Sequence, residues 1–392
     1  MNQKSQTPAS ASTTGLGAFF IRYAPWIGAG LALLYFGIFL WPQHDDPNDF
    51  HYRAFGRIPA IDGGRCKPMD TIARMNLMIL THRQQFYNPE TRTTYSATKW
   101  FLDSTTIPMP GNHPELNKIF EENNNAALDY KIFRIENDQV LKMLKLDMRE
   151  GLRYSLVEVS KGYRTLFEEA RRIMGDEEEG IEAVDPKKLT LVEAKTVELW
   201  EHAQLFRRMA DHTSPLLIPD PNPKGGEQWK SFARYMDEAL GHGQLDDGID
   251  ARTFQNYLKL LAFYSRGEKK EFNSTLAAHL ADLEKRDPAR MRAIDAEIFF
   301  NEFAPFYRCL EIYVVIALLT ALSWFTTTWG PSMRKAAFTA MLVAFAFHTF
   351  ALCMRMYLQG RPPVTNLYSS AVFIGWGCVL ICMITEAFYK NG

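Results

Sequence analysis

The sequence has 392 residues, 47% hydrophobic and 13% aromatic, with a formal net charge of -1. That length suffices for one large domain or two smaller ones, and the balanced charge argues against a nucleic-acid binder, which carries a basic excess. The mean hydropathy of -0.21 averages two unlike parts, because apolar residues concentrate near the N-terminus and in the last ~85 residues.

The first apolar run, Pro25 to Trp41, reads PWIGAGLALLYFGIFLW. It is long for a signal-peptide core, and no small-x-small site precedes PQHDDPND, so an uncleaved membrane anchor is expected, with residues 1–24 before it. Residues 44–60 form a polar lead-in. GRIPAIDGGRCKPMDTIARMNL follows at 56–77, with Gly63-Gly64 marking a turn and Asp70 or Thr71 placed to cap the next helix. From Asn137 to about Arg172 the pattern is helical, and Ser155 with Glu158 makes a capping box for its second half. The acidic stretch 175–188 reads as a solvated loop.

Thr190 with Glu193 makes another capping box, ahead of a helix with Leu199, Ala203, Phe206 and Ala210 on one face. The four prolines of residues 214–229 exclude a helix interior. Two amphipathic helices are expected at about 250–265 and 271–285, a pair with a tetratricopeptide look around Arg266-Gly267-Glu268. A last helix, about 288–308, is expected to run straight into the second apolar run. Alternating strand patterns are few, so residues 42–308 are expected to be mostly helical.

The remaining apolar runs are Leu310 to Trp329, Ala336 to Met354 and Asn366 to Tyr389. With the first run they measure 17 to 24 residues, enough to cross a hydrocarbon core of about 30 Å. The fold class expected is an all-α membrane protein: one N-terminal anchor, a large mostly helical extracytoplasmic domain (42–308), and a three-helix membrane region (309–392). GPSMRK, with Arg334 and Lys335, reads as the short loop between the second and third spans. These two residues, Lys390, Lys4 and Arg22 place both termini in the cytoplasm by the positive-inside rule. Residues 42–308 and the GRPPVTN loop then share the outer side of a bacterial inner membrane, with Arg355 and Arg361 as two cations against the trend.

The chain has five cysteines, and Cys66 can pair within the outer segment only with Cys309 at its edge. Cys378 and Cys382, at i and i+4, read as small packing residues. No zinc pattern, phosphate loop, nucleophile elbow or dinucleotide fingerprint occurs.

His348 stands apart because it lies inside the third apolar run, where a histidine is costly and turns toward the protein interior or a ligand. It reads either as an interhelical hydrogen-bonding group or as a neutral imidazole ligand of a metal or haem iron. His348, Leu352 and Arg355 fall at i, i+4 and i+7, one stripe rising about 10 Å. Arg355 can hold a carboxylate there or snorkel to the interface. Beyond it, Gly360-Arg361-Pro362-Pro363 leads to Asn366 and Tyr368, with the prolines restricting how Arg361 is presented.

His348-Thr349, Arg355, GRPPVTNLYSS and FIGWG together resemble the membrane core of cytochrome c assembly proteins of the CcsA/ResC type, the haem-handling half of the system II cytochrome c synthase. GRIPAIDGGRCKPMDTIAR and AEIFFNEFAPFYRC are similar to segments of the fused, long-domain versions. The resemblance implies haem as cofactor, His348 as a haem ligand, and Arg355 and Arg361 as propionate or loop-fixing residues. It also implies apocytochrome c and a second assembly subunit as partners within a lipid membrane. The family's tryptophan-rich, WDPK-type outer segment does not occur in these residues and is expected on that partner. Ser369 stands where many members carry Glu. The alternative is a membrane-anchored interaction or sensor protein that presents its outer domain without haem.

Overall fold

The computed structural model describes residues 15–41, 43–89, 91–109, 113–121, 123, 126–175, 181–219, 229–242 and 249–389. The first apolar run forms α1 (Gly15–Phe39). Next come α2 (Tyr52–Phe55), β1 (Pro59–Asp62), β2 (Arg65–Pro68), α3 (Met69–Thr81), β3 (Gln85–Asn88), β4 (Thr93–Ser96), α4 (Ala97–Thr105), α5 (Pro114–Phe120) and β5 (Phe133–Arg134). These are followed by α6 (Asp138–Met143), β6 (Arg153–Tyr154), α7 (Leu156–Ser160), α8 (Tyr163–Met174), α9 (Leu191–Ala210), β7 (Leu216–Pro219) and β8 (Trp229–Ser231). The chain closes with α10 (Phe232–His242), α11 (Ile249–Ser265), α12 (Lys269–Arg286), α13 (Pro288–Phe303), α14 (Pro305–Trp324), α15 (Gly330–Gln359) and α16 (Leu367–Tyr389). Two compact units result: residues 44–298, and residues 1–43 with 299–392.

The unit 44–298 is mainly helical, but it also holds a four-stranded antiparallel sheet, order β2-β1-β7-β8, and two separate hairpins, β3–β4 and β5–β6. The sequence reading did not anticipate this sheet. Its strands are three or four residues long, and Pro59, Pro68 and Pro219 stand at their ends, so no alternation is long enough to register. Gly63 and Gly64 do form the expected turn: both have positive φ (60° and 76°), which a two-residue hairpin with matching twist requires. Neither Asp70 nor Thr71 caps α3. Pro68 holds the cap position without a side-chain bond, and Asp70 instead pairs with Arg74 at 2.7 Å.

The expected helix over 137–172 is three helices. Lys145, Gly151 and Leu152 take positive φ in a turn that leads into β6 and breaks the run. Both capping boxes form as read, at Ser155/Glu158 and Thr190/Glu193. Arg149 grips Glu158 through two bonds of 2.7 Å and holds its carboxyl down at about 2. Leu199, Ala203, Phe206 and Ala210 are buried, and α11 and α12 form the anticipated pair around Gly267.

The stretch GRIPAIDGGRCKPMDT proves to be a clamp. Arg57 binds Asp295 and Glu284, each at 2.7 Å, and Arg65 binds the buried Glu297, which also accepts from Thr71. Hairpin, α12 and α13 are thereby tied together. Glu297 has two partners, so its burial is compensated.

Among the described residues of this unit, His212 and His279 are buried histidines. His212 lies among the rings of Phe120, Phe232 and Tyr257, and His279 has its Nδ1 3.3 Å from Asn256 Nδ2. Burial pushes each down from 6.5 to about 4, so each is neutral when folded. An unfolded chain binds these protons first. Their contribution is therefore complete above pH 6.5, falls as the pH drops toward 4, and amounts to roughly 3 kcal/mol each by linkage. Thermal unfolding of this unit, followed from pH 7.5 to 4.5, will show a falling midpoint, and His279→Gln will flatten that dependence.

In the other unit, α1 packs along α15. A Cβ at Gly28 would lie 2.2 Å from the Ala336 carbonyl oxygen, so only glycine allows the approach. Thr339 Oγ1 donates to the Pro25 carbonyl at 2.7 Å, and Phe36 stacks on Phe347 with centroids 4.0 Å apart. Phe36, Phe303, Cys309 and Ala344 centre the core.

The expected straight helix over 288–308 is interrupted. Ala304 adopts φ 46°, and Pro305 starts α14. GPSMRK is not a loop either: Gly330 begins α15, the connector is residues 325–329, and Arg334 and Lys335 lie in the first turns of the helix. Gly330 packs so tightly on the Ser323 carbonyl, 2.4 Å from a notional Cβ, that the hairpin is shorter than its composition suggested. Among the described residues, Pro288–Trp324, Gly330–Gln359 and Leu367–Tyr389 are long and apolar enough to cross a membrane. Gly28→Leu will overpack the α1–α15 contact at a cost of about 1–3 kcal/mol, read as a lower melting midpoint in detergent. Gly30→Leu, with open space around its Cα, will leave the midpoint unchanged.

Candidate functional site

Helices α14, α15 and α16 enclose a cleft of about 790 Å³, within the range of small-molecule and cofactor sites. Its wall is almost wholly apolar or aromatic, with Phe306, Leu310, Ile316, Trp324, Met341 and Val379 among the lining residues. His348, Tyr313 and Tyr368 supply polar groups, and Cys309, Cys378 and Cys382 supply three thiols.

His348 is buried on α15, its ring edge-on to Phe306 at 5.8 Å. Its Nδ1 lies 3.4 Å from the Tyr313 hydroxyl, and its Nε2 is buried without a protein partner. With the proton on Nδ1, donated toward Tyr313, the Nε2 lone pair is left unused. With the proton on Nε2, a buried N–H lacks an acceptor. Either tautomer leaves an unmet demand worth about 1–3 kcal/mol, which a ligand at Nε2 removes. Among the described residues no group of three or more His, Cys, Asp or Glu side chains forms a metal cage.

One face of α15 carries His348, Leu352 and Arg355 as the spacing required, with His348 and Leu352 buried. The Arg355 guanidinium lies over the Tyr368 ring at 5.2 Å and donates from Nε to Gln359 at 3.3 Å, leaving one buried nitrogen unpartnered. Tyr368 in turn lines the cleft. Arg355 does not itself line the cleft; it touches Tyr368, which lines it together with His348.

The rest of the 360–366 connector has other tasks. Gly360, at φ 59°, ends α15 by donating to the Met356 carbonyl at 2.9 Å. Asn366 starts α16: its Oδ1 accepts from Ser369 N at 2.8 Å, while Ser369 Oγ accepts from the Thr365 and Asn366 amides. Ser369, where the resemblance led one to look for Glu, completes a reciprocal cap. Arg361 and Pro362 are exposed, Pro363 is partly buried, and none of the three lines the cleft.

Tyr313 was not legible as a site residue from the sequence, and Trp376 stood out only as part of FIGWG. Trp376 stacks on Phe345 and Phe373 and donates to Thr349 Oγ1 at 2.9 Å, locking α16 to α15 beside His348. The signal for both was the one that drew attention to His348, a polar group inside an apolar run. Cys378 and Cys382 reach the cleft wall instead of packing inside a helix interface.

No family model matches the sequence. Two curated proteins are similar over part of it. Protein NrfI of Wolinella succinogenes is 29% identical over 92 residues, 22% of this chain and 10% of that protein. Cytochrome c biogenesis protein CcsA of Prochlorococcus marinus is 30% identical over 84 residues, 21% of this chain and 26% of that protein. The similarity thus spans about a tenth and a quarter of the relatives' own lengths.

Replacing the cap of α16 tests how the site is held. Asn366→Ala will cost about 1 kcal/mol and fray the first turn that carries Tyr368. Faster amide hydrogen exchange over residues 367–370, with α14 unchanged, is the expected readout.

Proposed function

We propose that this chain is a membrane component of cytochrome c maturation that holds haem in the α14–α16 cleft, where His348 would hold the iron. The observation that carries the reading is a histidine that lines a large apolar cleft and whose Nε2 is buried without a protein partner. The similarity to a cytochrome c biogenesis protein supports the pathway in outline. Bound haem supplies vinyl groups to which the cysteine thiols of an apocytochrome add.

The chain's own residues bind and orient. Tyr313 fixes the His348 ring through Nδ1, and the aromatic wall excludes water from the macrocycle's faces. Arg355, stacked on Tyr368 with a free donor, neutralises a propionate. Arg361 serves the loop or a second propionate. Residues 42–308 are extracytoplasmic in this reading, and α1 anchors the chain in the bacterial inner membrane with both termini cytoplasmic. A second assembly subunit contributes the tryptophan-rich segment, so the chain is not catalytic alone, and apocytochrome c is the protein substrate.

Protein purified from cells supplied with ample haem and the partner subunit will show a Soret band. His348→Ala will remove most of it while the melting midpoint stays within a few degrees. A colourless wild-type protein contradicts the proposal and favours a haem-free interaction or sensor role.

A further inference from the structure

A second pocket, of about 330 Å³, lies in the unit 44–298 between the end of α3, strand β3 and the turn 149–153. Arg83, Lys131, Arg149 and Arg153 line it, with Glu150 as the one lining acid. Phe86 and Tyr87 supply an aromatic side. Nothing in the haem reading uses this site.

The charges are not balanced from within. Arg149 is committed to Glu158, stacks on Tyr154 at 4.1 Å and donates to the Arg153 carbonyl, which stiffens the turn. Arg153 spends one donor on the Thr81 carbonyl at 2.8 Å. Among the described residues neither Arg83 nor Arg153 has a carboxylate partner, and Arg153 faces Arg134 directly across the β5–β6 pair. Like charges placed so oppose pairing. Burial first, then Arg83 and Arg134, push the Arg153 guanidinium below its usual range. Arg134 is relieved by Glu136 at 2.6 Å; Arg153 is not.

We propose that this pocket binds the oxyanion, carboxylate or phosphate, of a small ligand, which bridges Arg83 and Arg153. A guanidinium fork matches either group in two parallel bonds, and an anion converts the crowding into attraction. Arg149, already fixed, sets the turn without needing to contact the ligand. The volume fits a small molecule, with Tyr87 available to cover an apolar or planar portion.

Isothermal titration of the full-length protein in detergent, with inorganic phosphate and with succinate as probes, tests this. At least one probe will bind saturably, at least tenfold more weakly in Arg83→Gln and in Arg153→Gln, and unchanged in Lys187→Gln. Binding of phosphate alone assigns the phosphate class, and of succinate alone the carboxylate class. Arg83 is exposed, so its variant decides if Arg153→Gln proves unstable. Saturable binding of neither probe, or undiminished binding in Arg83→Gln, overturns the proposal. The result is independent of haem binding, so either reading can fail without the other.

Discussion

One buried nitrogen organises the membrane unit. His348 Nε2 sits in apolar surroundings without a protein partner, and a polar group left so is costly. The features around it make sense as arrangements that keep it there. Tyr313 holds the other ring nitrogen, Phe306 packs edge-on to the ring, and Trp376 ties the next helix to Thr349. Further along α15, the close approach at Gly28 and the Phe36–Phe347 stack brace the helix from the side of α1.

The same economy appears in the unit 44–298. Two buried carboxylates there are satisfied. Glu297 takes Arg65 and Thr71, and Asp103 accepts from Tyr130, Tyr264 and Lys99. The segment GRIPAIDGGRCKPMDT, which looked like a motif, works here as the clamp that joins a hairpin to α12 and α13. At the pocket beside α3 and β3, Arg83 and Arg153 have no carboxylate partner among the described residues.

Legibility from sequence followed the range of the physics. Features set by neighbours in the chain were readable: both capping boxes, the Gly63-Gly64 turn, the buried face of α9, the α11–α12 pair, and the stripe from His348 to Arg355. Features set by distant contacts were not. The strands β1, β2, β7 and β8 are too short to show a period and form one sheet because Ile61 pairs with Leu216, 155 positions away. The break at Ala304-Pro305 was hidden by continuous apolar character, and GPSMRK looked like a loop because charge was read before helix start signals. The site was half legible. The histidine announced itself by its apolar neighbours, whereas the role of Tyr313 depends on two helices meeting.

The central claim concerns a bond to one atom. Resonance Raman spectra of the ferrous, haem-loaded protein, recorded with natural-abundance and with ¹⁵N-labelled histidine, report it directly. The account predicts an iron–imidazole band that shifts on labelling, is lost in His348→Gly, and returns when free imidazole is added to that variant. Bound haem with no label-sensitive band, or with the same band in His348→Gly before imidazole is added, contradicts it.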